Sequence, residues 1–159
     1  MPMKIEGLEN INSMLSVFHD GEINHAVKSN SCLKFDVNIQ YLAERINPEF
    51  LAFSVILEGI ESLTFTTWPD EKDEEPEIFT DINSIFTKDL GILSGEIENE
   101  SIKLACNQPI PGLGYCGGFL SLKANSAIVK DEAGKEYSID ELISLSSDYW
   151  DEWSKNKKA

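Results

Sequence analysis

The chain has 159 residues and a formal net charge of −15 at neutral pH, from 28 Asp and Glu against 13 Lys and Arg. This balance argues against nucleic acid and anionic membrane surfaces as partners, because phosphate groups are bound by clustered Lys and Arg. The length fits one domain, residues 1–159, with a core that forms without disulfides or a structural metal. Three cysteines indicate reduced thiols, and the absence of an apolar leader in the sequence predicts a cytoplasmic protein.

The first half of the chain predicts one helix followed by strands. Apolar residues recur at spacings of three and four from Leu8 to Phe18, which predicts a short amphipathic helix over residues 8–18. Residues 22–28 predict a first strand. Strict alternation of apolar and polar residues over 33–41 predicts a second strand that continues through Tyr41. Residues 50–57 and 63–67 predict two more strands, with a bulge or bend at Gly59 between them.

The second half begins with an ambiguous stretch, because residues 78–90 fit either a short helix or a strand. Residues 92–97 and 102–106 predict a hairpin that turns at residues 98–101. The prolines and glycines of residues 108–118 predict a loop, and residues 120–128 predict one further alternating strand.

A helix is predicted at the C-terminus, where Ser138 and Glu141 form the S-x-x-E pattern of a capping box. The spacing places Tyr149 and Trp153 on the apolar face and leaves Trp150 exposed, as a candidate binding residue. Residues 155–159 predict a frayed polar tail. The pattern as a whole predicts an α+β fold: a mainly antiparallel sheet of six to eight strands, a short N-terminal helix and an amphipathic C-terminal helix.

Two motifs in the glycine loop invite a chemical interpretation. The residues from Gly112 to Gly117 spell G-x-G-x-x-G, but a strand follows them where the dinucleotide fingerprint requires a helix. Cys116 is a candidate nucleophile with His19 or His25 as its base, although no basic residue lies near it in sequence. A small enzyme or ligand-binding domain with a pocket between Gly112 and Gly118 therefore stays open as the alternative function.

No metal or cofactor is predicted from the sequence. His19 and His25 are six residues apart, which fits no standard pair of zinc ligands, and the chain contains no C-x-x-C motif. The acidic residues lack the glycine and the spacing of a calcium-binding loop.

The most strongly charged stretch is the acidic segment, residues 70–77, in which six carboxylates accompany one lysine. It lies between aromatic residues Trp68 and Phe79, and the negative charge continues to Glu100. A field of this sign attracts and steers a basic partner. The predicted binding residues are therefore Trp150 together with the six acids of the segment: Asp70, Glu71, Asp73, Glu74, Glu75 and Glu77.

Residues 18–23, Phe-His-Asp-Gly-Glu-Ile, lead into alternating strands and resemble the opening of small bacterial domains of unknown function. Some of those domains resemble immunity proteins of toxin systems. The resemblance implies a bacterial, cytoplasmic binding protein without enzymatic activity, and it assigns no functional residues. With the charge, it favours an acidic protein that neutralises or regulates a basic protein partner; a self-associating structural protein is a further reading.

Overall fold

The computed structural model describes residues 3–69, 71, 74–86, 89–108, 110 and 114–158. Its helices are α1 Leu8–Val17, α2 Gln40–Ala43, α3 Ile82–Ile85 and α4 Ile139–Lys158. Its strands are β1 Ile5–Glu6, β2 Glu22–Ser29, β3 Cys32–Asn38, β4 Ala52–Glu58, β5 Ser62–Pro69, β6 Ile78–Phe79, β7 Leu90–Glu98, β8 Ser101–Asn107, β9 Tyr115–Lys123, β10 Ser126–Lys130 and β11 Glu136–Tyr137.

All described strands belong to one antiparallel sheet with the order β1-β10-β4-β3-β2-β7-β8-β9-β5-β6, and β11 pairs with β10. The predicted α+β class with a mainly antiparallel sheet is confirmed. The predicted number of strands is too low, since the described residues form eleven. Three of these strands have only two residues, which is too short for alternation to predict them. In addition, residues 120–128 predict one strand, whereas the chain bends there and forms the end of β9 and the start of β10.

Two bends connect the halves of the sheet. The chain passes from β4 to β5 through Gly59, which has φ of 67°, and from β9 to β10 through residues 124–125. The bends are joined by hydrogen bonds, from Asn125 N to the Glu58 carbonyl (2.8 Å) and from Glu61 N to the Lys123 carbonyl (2.9 Å). Because β4 and β10 lie in one half while β5 and β9 lie in the other, these bends curl the sheet so that its two halves approach each other.

The core lies inside this curled sheet and under α1. Ile11, Met14 and Leu15 are buried on one face of α1, which packs on β7 and α4. The spacing of those residues follows the helical period, as the sequence predicts. The ring of Phe18, fully buried after the last turn, lies 5.2 Å from that of Phe53.

The hairpin and the start of α4 confirm two sequence predictions in detail. Asn99 and Glu100 connect β7 to β8 with φ of 53° and 61°, the left-handed conformation that a two-residue type I′ turn requires. At α4, Glu141 N donates to Ser138 Oγ and Ser138 N donates to a Glu141 carboxylate oxygen, both at 3.1 Å. The hydrogen bond that the Glu141 carboxylate accepts from the Ser138 backbone N–H lowers the pKa of Glu141.

Three sequence predictions need correction or completion. The second strand ends at Asn38, and Tyr41 lies in α2, because Ile39, Leu42 and Ala43 turn their side chains into the core at helical spacing. The ambiguous stretch contains both kinds of structure, β6 and then α3. The helix α4 continues to Lys158, beyond the start of the predicted tail. No helix among the described residues is long and apolar enough to span a membrane.

Candidate functional site

The described acids of the acidic segment lie on a loop between β5 and β6. Glu71, Glu74, Glu75 and Glu77 are all exposed, and none has an ion-pair partner among the described residues. Asp70 and Asp73, which the sequence also predicts as binding residues, lie outside the described residues. The segment therefore presents at least four carboxylates to solvent.

The C-terminal end of the acidic segment is fixed to the sheet. Thr67 N donates to the Glu77 carbonyl, and Glu77 N donates to Thr67 Oγ1, both at 2.9 Å. The next residues form β6, where the Phe79 ring packs 6.3 Å from that of Phe65 and 5.9 Å from that of Tyr115. Trp68, before the segment, packs edge-on against Phe119 with the ring centroids 5.0 Å apart. The aromatic residues predicted to flank the segment thus hold the chain on either side of it.

The Trp150 side chain occupies a different region, where it belongs to an aromatic cluster formed by His19, Tyr41, Tyr149, Trp150 and Trp153. Its ring stacks on that of His19 at 5.2 Å and meets the rings of Tyr41 and Tyr149 edge-on. The Nε1 atom of Trp150 is buried, with no hydrogen-bond partner among the described residues. The prediction that Trp150 is the exposed tryptophan is wrong: Trp150 is partly buried, whereas Trp153 is 45% exposed.

Two segments, the turn after α1 and the helix α2, explain why Trp150 is packed and Trp153 is exposed. The turn after α1 places His19 beside α4, and the short helix α2 places Tyr41 against the same part of α4. Trp150 therefore finds aromatic partners on the flank of α4 that helical periodicity alone assigns to solvent. Arg45 adds to the contact by pairing with Glu152 at 2.7 Å.

A groove of about 440 Å³ opens beside the aromatic cluster, between the turn after α1, the start of β2 and the start of α2. We name it the α2 groove. Its lining combines two carboxylates, Asp20 and Glu22, with the amides of Asn38 and Gln40. Tyr41, Ile39 and Leu51 supply the aromatic and aliphatic part, and Leu51 is 52% exposed. The volume lies in the range of small-ligand sites, roughly 300–1,000 Å³.

Backbone hydrogen bonds hold the rim of the α2 groove. Asp20 has φ of 70°, and its N–H donates to the Ile92 carbonyl (2.8 Å), while Ile92 N donates to the Gly21 carbonyl (2.8 Å). Gly21 is required in this turn because a Cβ would lie 2.7 Å from a methyl carbon of Val37 and 2.9 Å from the Phe18 carbonyl oxygen. The turn is therefore locked to β7 and packed against β3.

The Tyr41 side chain completes the rim from the side of α2. Its hydroxyl donates to the His19 carbonyl at 2.8 Å, which ties α2 to the turn after α1. Burial, together with the negative charge of Asp20, raises the pKa of Tyr41 to about 12. The phenol is therefore neutral, and its proton is engaged, throughout the physiological pH range.

The Cys116 and histidine arrangement that the alternative function requires does not form among the described residues. Cys116 is exposed at the start of β9, with its Sγ 3.9 Å from the Trp68 carbonyl oxygen. His19 Nδ1 instead lies 3.0 Å from the Ser16 carbonyl, and His25 Nδ1 lies 3.1 Å from a carboxylate oxygen of Asp36. Gly112 lies outside the described residues, so the glycine loop is described only from Gly114.

The glycines after Cys116 have a packing role. A Cβ on Gly117 would meet the Cys106 carbonyl oxygen, and one on Gly118 would meet the Thr66 carbonyl oxygen, each at well under contact distance. These residues let the Trp68 and Phe65 rings lie directly against β9. The Cys106 thiol is buried, which raises its pKa to about 12 and leaves it unreactive. No group of three or more metal-ligating side chains occurs among the described residues.

Comparisons with protein-family models, with curated proteins and with solved structures give no significant match to this chain.

The residues of the α2 groove are the ones that sequence reasoning missed. Asp20 lies in the Phe-His-Asp-Gly turn, which the sequence indicates as a helix-to-strand connection, and Glu22 begins the strand that follows. Gln40 and Tyr41 lie in α2, although the alternation of apolar and polar residues predicts a strand at these positions. The signal available was the Asp-Gly pair, which indicates a left-handed or tightly packed turn but not what it faces.

Proposed function

We propose that this protein is an acidic binding module that neutralises or regulates a basic protein partner, in the manner of a toxin-immunity protein. One observation carries the proposal: the four described acids of the acidic segment are exposed and unpaired within the described chain, next to a strand that fixes them to the sheet. Exposed acids without internal counter-charges keep their whole field available to a ligand.

The ion pairs of the Lys and Arg side chains support the same proposal. Ion pairs between described residues join acids outside residues 70–77 to five cations: Lys4, Arg45, Lys103, Lys123 and Lys135. Cations elsewhere on the surface thus offset other acids and leave the segment negative. Such a region raises the rate at which a basic partner associates, and salt weakens the effect over a Debye length of about 10 Å at 0.1 M.

Affinity capture from a lysate of the source cells tests the proposal. Immobilised protein is compared with a variant in which Glu71, Glu74, Glu75 and Glu77 are all replaced by Gln. The charge-matched control neutralises four exposed acids outside the negative stretch that ends at Glu100, namely Glu6, Glu9, Asp140 and Asp151. Capture is carried out at about 50 mM and about 500 mM salt, which changes the screening length severalfold.

We expect a specific basic protein to be retained at low salt by the native chain and by the control variant, and to be depleted on the acidic-segment variant. Its purified form should then associate with the native chain faster than with the acidic-segment variant. Retention of no basic protein at low salt, or equal loss from both variants, contradicts the proposal.

A further inference from the structure

We propose that the α2 groove binds an arginine side chain of the partner. The inference deepens the proposed function, since it rests on a basic partner and names the group that the partner inserts. The observation behind this proposal is an amphipathic groove with exposed acceptors at one end and an aromatic and aliphatic surface at the other.

The polar end of the groove offers four side chains that use none of their bonding capacity internally. Asp20, Glu22, Asn38 and Gln40 are all exposed, and none has a side-chain hydrogen bond or ion pair with another described residue. Two of them carry negative charge, and the two amides contribute neutral oxygen acceptors. Among the residues that the structure describes, no Lys or Arg lines the groove to neutralise it.

The remaining lining suits the stem and plane of an arginine. Leu51, which is 52% exposed, offers aliphatic surface for its methylene groups, and the Tyr41 ring lies at the same groove. A guanidinium presents five N–H donors in one plane, stacks on aromatic rings and is weakly hydrated, so it satisfies several acceptors at once. A lysine ammonium has three donors and a compact charge, and it gains less from the aromatic wall.

The groove is also formed before any ligand arrives. Asp20 is held by its hydrogen bond to Ile92, Glu22 is paired on both sides through β3 and β7, and Tyr41 is tied to His19. A site whose backbone is already fixed loses little conformational entropy on binding, which favours affinity from a small contact area.

A peptide titration followed by two-dimensional amide NMR of the intact protein tests the inference. The probe is an end-blocked Gly-Gly-Arg-Gly-Gly peptide, compared with peptides that carry lysine or the neutral isostere citrulline at the centre. The groove variant is D20N/E22Q, and the charge-matched control is E74Q/E75Q in the acidic segment. Both variants remove two negative charges from exposed positions.

We expect saturable shifts confined to residues around Tyr41 and Leu51 with the arginine peptide. D20N/E22Q should weaken binding at least about tenfold, as the loss of charge-assisted hydrogen bonds implies, and E74Q/E75Q should leave it unchanged. Citrulline should bind at least about tenfold more weakly than arginine for the same reason.

Equal weakening by the two variants would mean attraction to net charge alone and would overturn the inference. Equal binding of lysine and arginine peptides would overturn the assignment to arginine. Because the lysate capture depends on the acidic segment and this titration depends on the groove, each can fail while the other succeeds. The native amide spectrum of D20N/E22Q serves as the check that its fold is retained.

Discussion

The acidic segment and the α2 groove present negative charge in two different ways. The segment is a loop whose described acids all face solvent, and it is fixed through β6 and the rings beside it. The described lining of the groove includes two acids, and both lie on backbone that is hydrogen-bonded to neighbouring strands, with aromatic and aliphatic surface beside them. High charge without a shaped surface suits long-range attraction, whereas the groove suits a short-range, oriented contact.

This difference gives the two regions separate roles in the proposed function. The field of the segment would raise the association rate of a basic partner, and the groove would slow its dissociation by holding one side chain. The two regions also differ in what supports them, which predicts different costs when their supports are removed.

The largest effect is expected from Trp150→Ala, which removes the ring that contacts His19, Tyr41, Tyr149 and Trp153. We expect a loss of about 2–3 kcal/mol in the free energy of unfolding, below the full cost of a completely buried aromatic residue. Urea denaturation measures it. Trp153→Ala is the control and should cost less than about 1 kcal/mol, because Trp153 is 45% exposed. A larger loss for Trp153→Ala than for Trp150→Ala would contradict the finding that Trp150 is the packed residue and Trp153 the exposed one.

A smaller loss is expected from Phe79→Ala, which removes the aromatic anchor of the acidic segment on Phe65 and Tyr115. The ring is partly buried at the edge of the sheet, so we expect about 1–2 kcal/mol. Hydrogen exchange of the backbone amides should show faster exchange in β6 and little change in β2. If exchange rises equally throughout the sheet, the anchor supports the whole fold and not the segment alone.

An effect of about 1 kcal/mol is expected from Tyr41→Phe, which removes the hydrogen bond from the phenol to the His19 carbonyl. The raised pKa of Tyr41, about 12, adds a pH dependence. Since the folded chain holds this proton more tightly than the unfolded chain does, the stabilisation is complete below about pH 10 and is lost as pH rises toward 12.

Denaturation of both proteins at about pH 9 and about pH 11 checks this dependence. The pKa values of Tyr115 and Tyr137 are also raised, so the native protein should lose stability over this range, and Tyr41→Phe should lose less. If both proteins lose the same free energy of unfolding over this pH range, the claim that folding raises the pKa of Tyr41 is contradicted.

The smallest effect on stability is expected when Glu71, Glu74, Glu75 and Glu77 are replaced together by Gln. Exposed acids without described ion pairs contribute little, so the free energy of unfolding should stay within about 0.5 kcal/mol of the native value. Thermal unfolding at low salt measures it. A marked rise in stability would show that repulsion within the segment strains the native fold, and the segment would then be more than a solvated binding loop.

Local patterns were sufficient for much of the fold. The helical spacing of residues 8–18, the alternation of residues 33–41 and the Ser138–Glu141 cap each depend on neighbours in the chain. The structure confirms the helix and the cap, and it confirms the strand only as far as Asn38. The acidic segment is likewise a property of the sequence, since charge and exposure follow from composition. Its two anchors could be predicted because aromatic residues stand directly beside it.

The groove and the aromatic cluster could not be predicted in this way. The groove is formed by the turn after α1 together with β2, β3, α2 and the residue before β4. The aromatic cluster joins the turn after α1 and the helix α2 to α4, across more than a hundred residues of sequence. The sequence by itself determined the α+β class, the negative charge and the end helices, because these arise from period, composition and short-range hydrogen bonds. Only the tertiary structure decided that Tyr41 is helical, that Trp150 turns inward and that Asp20 and Glu22 share a groove, because each depends on packing between segments distant in the chain.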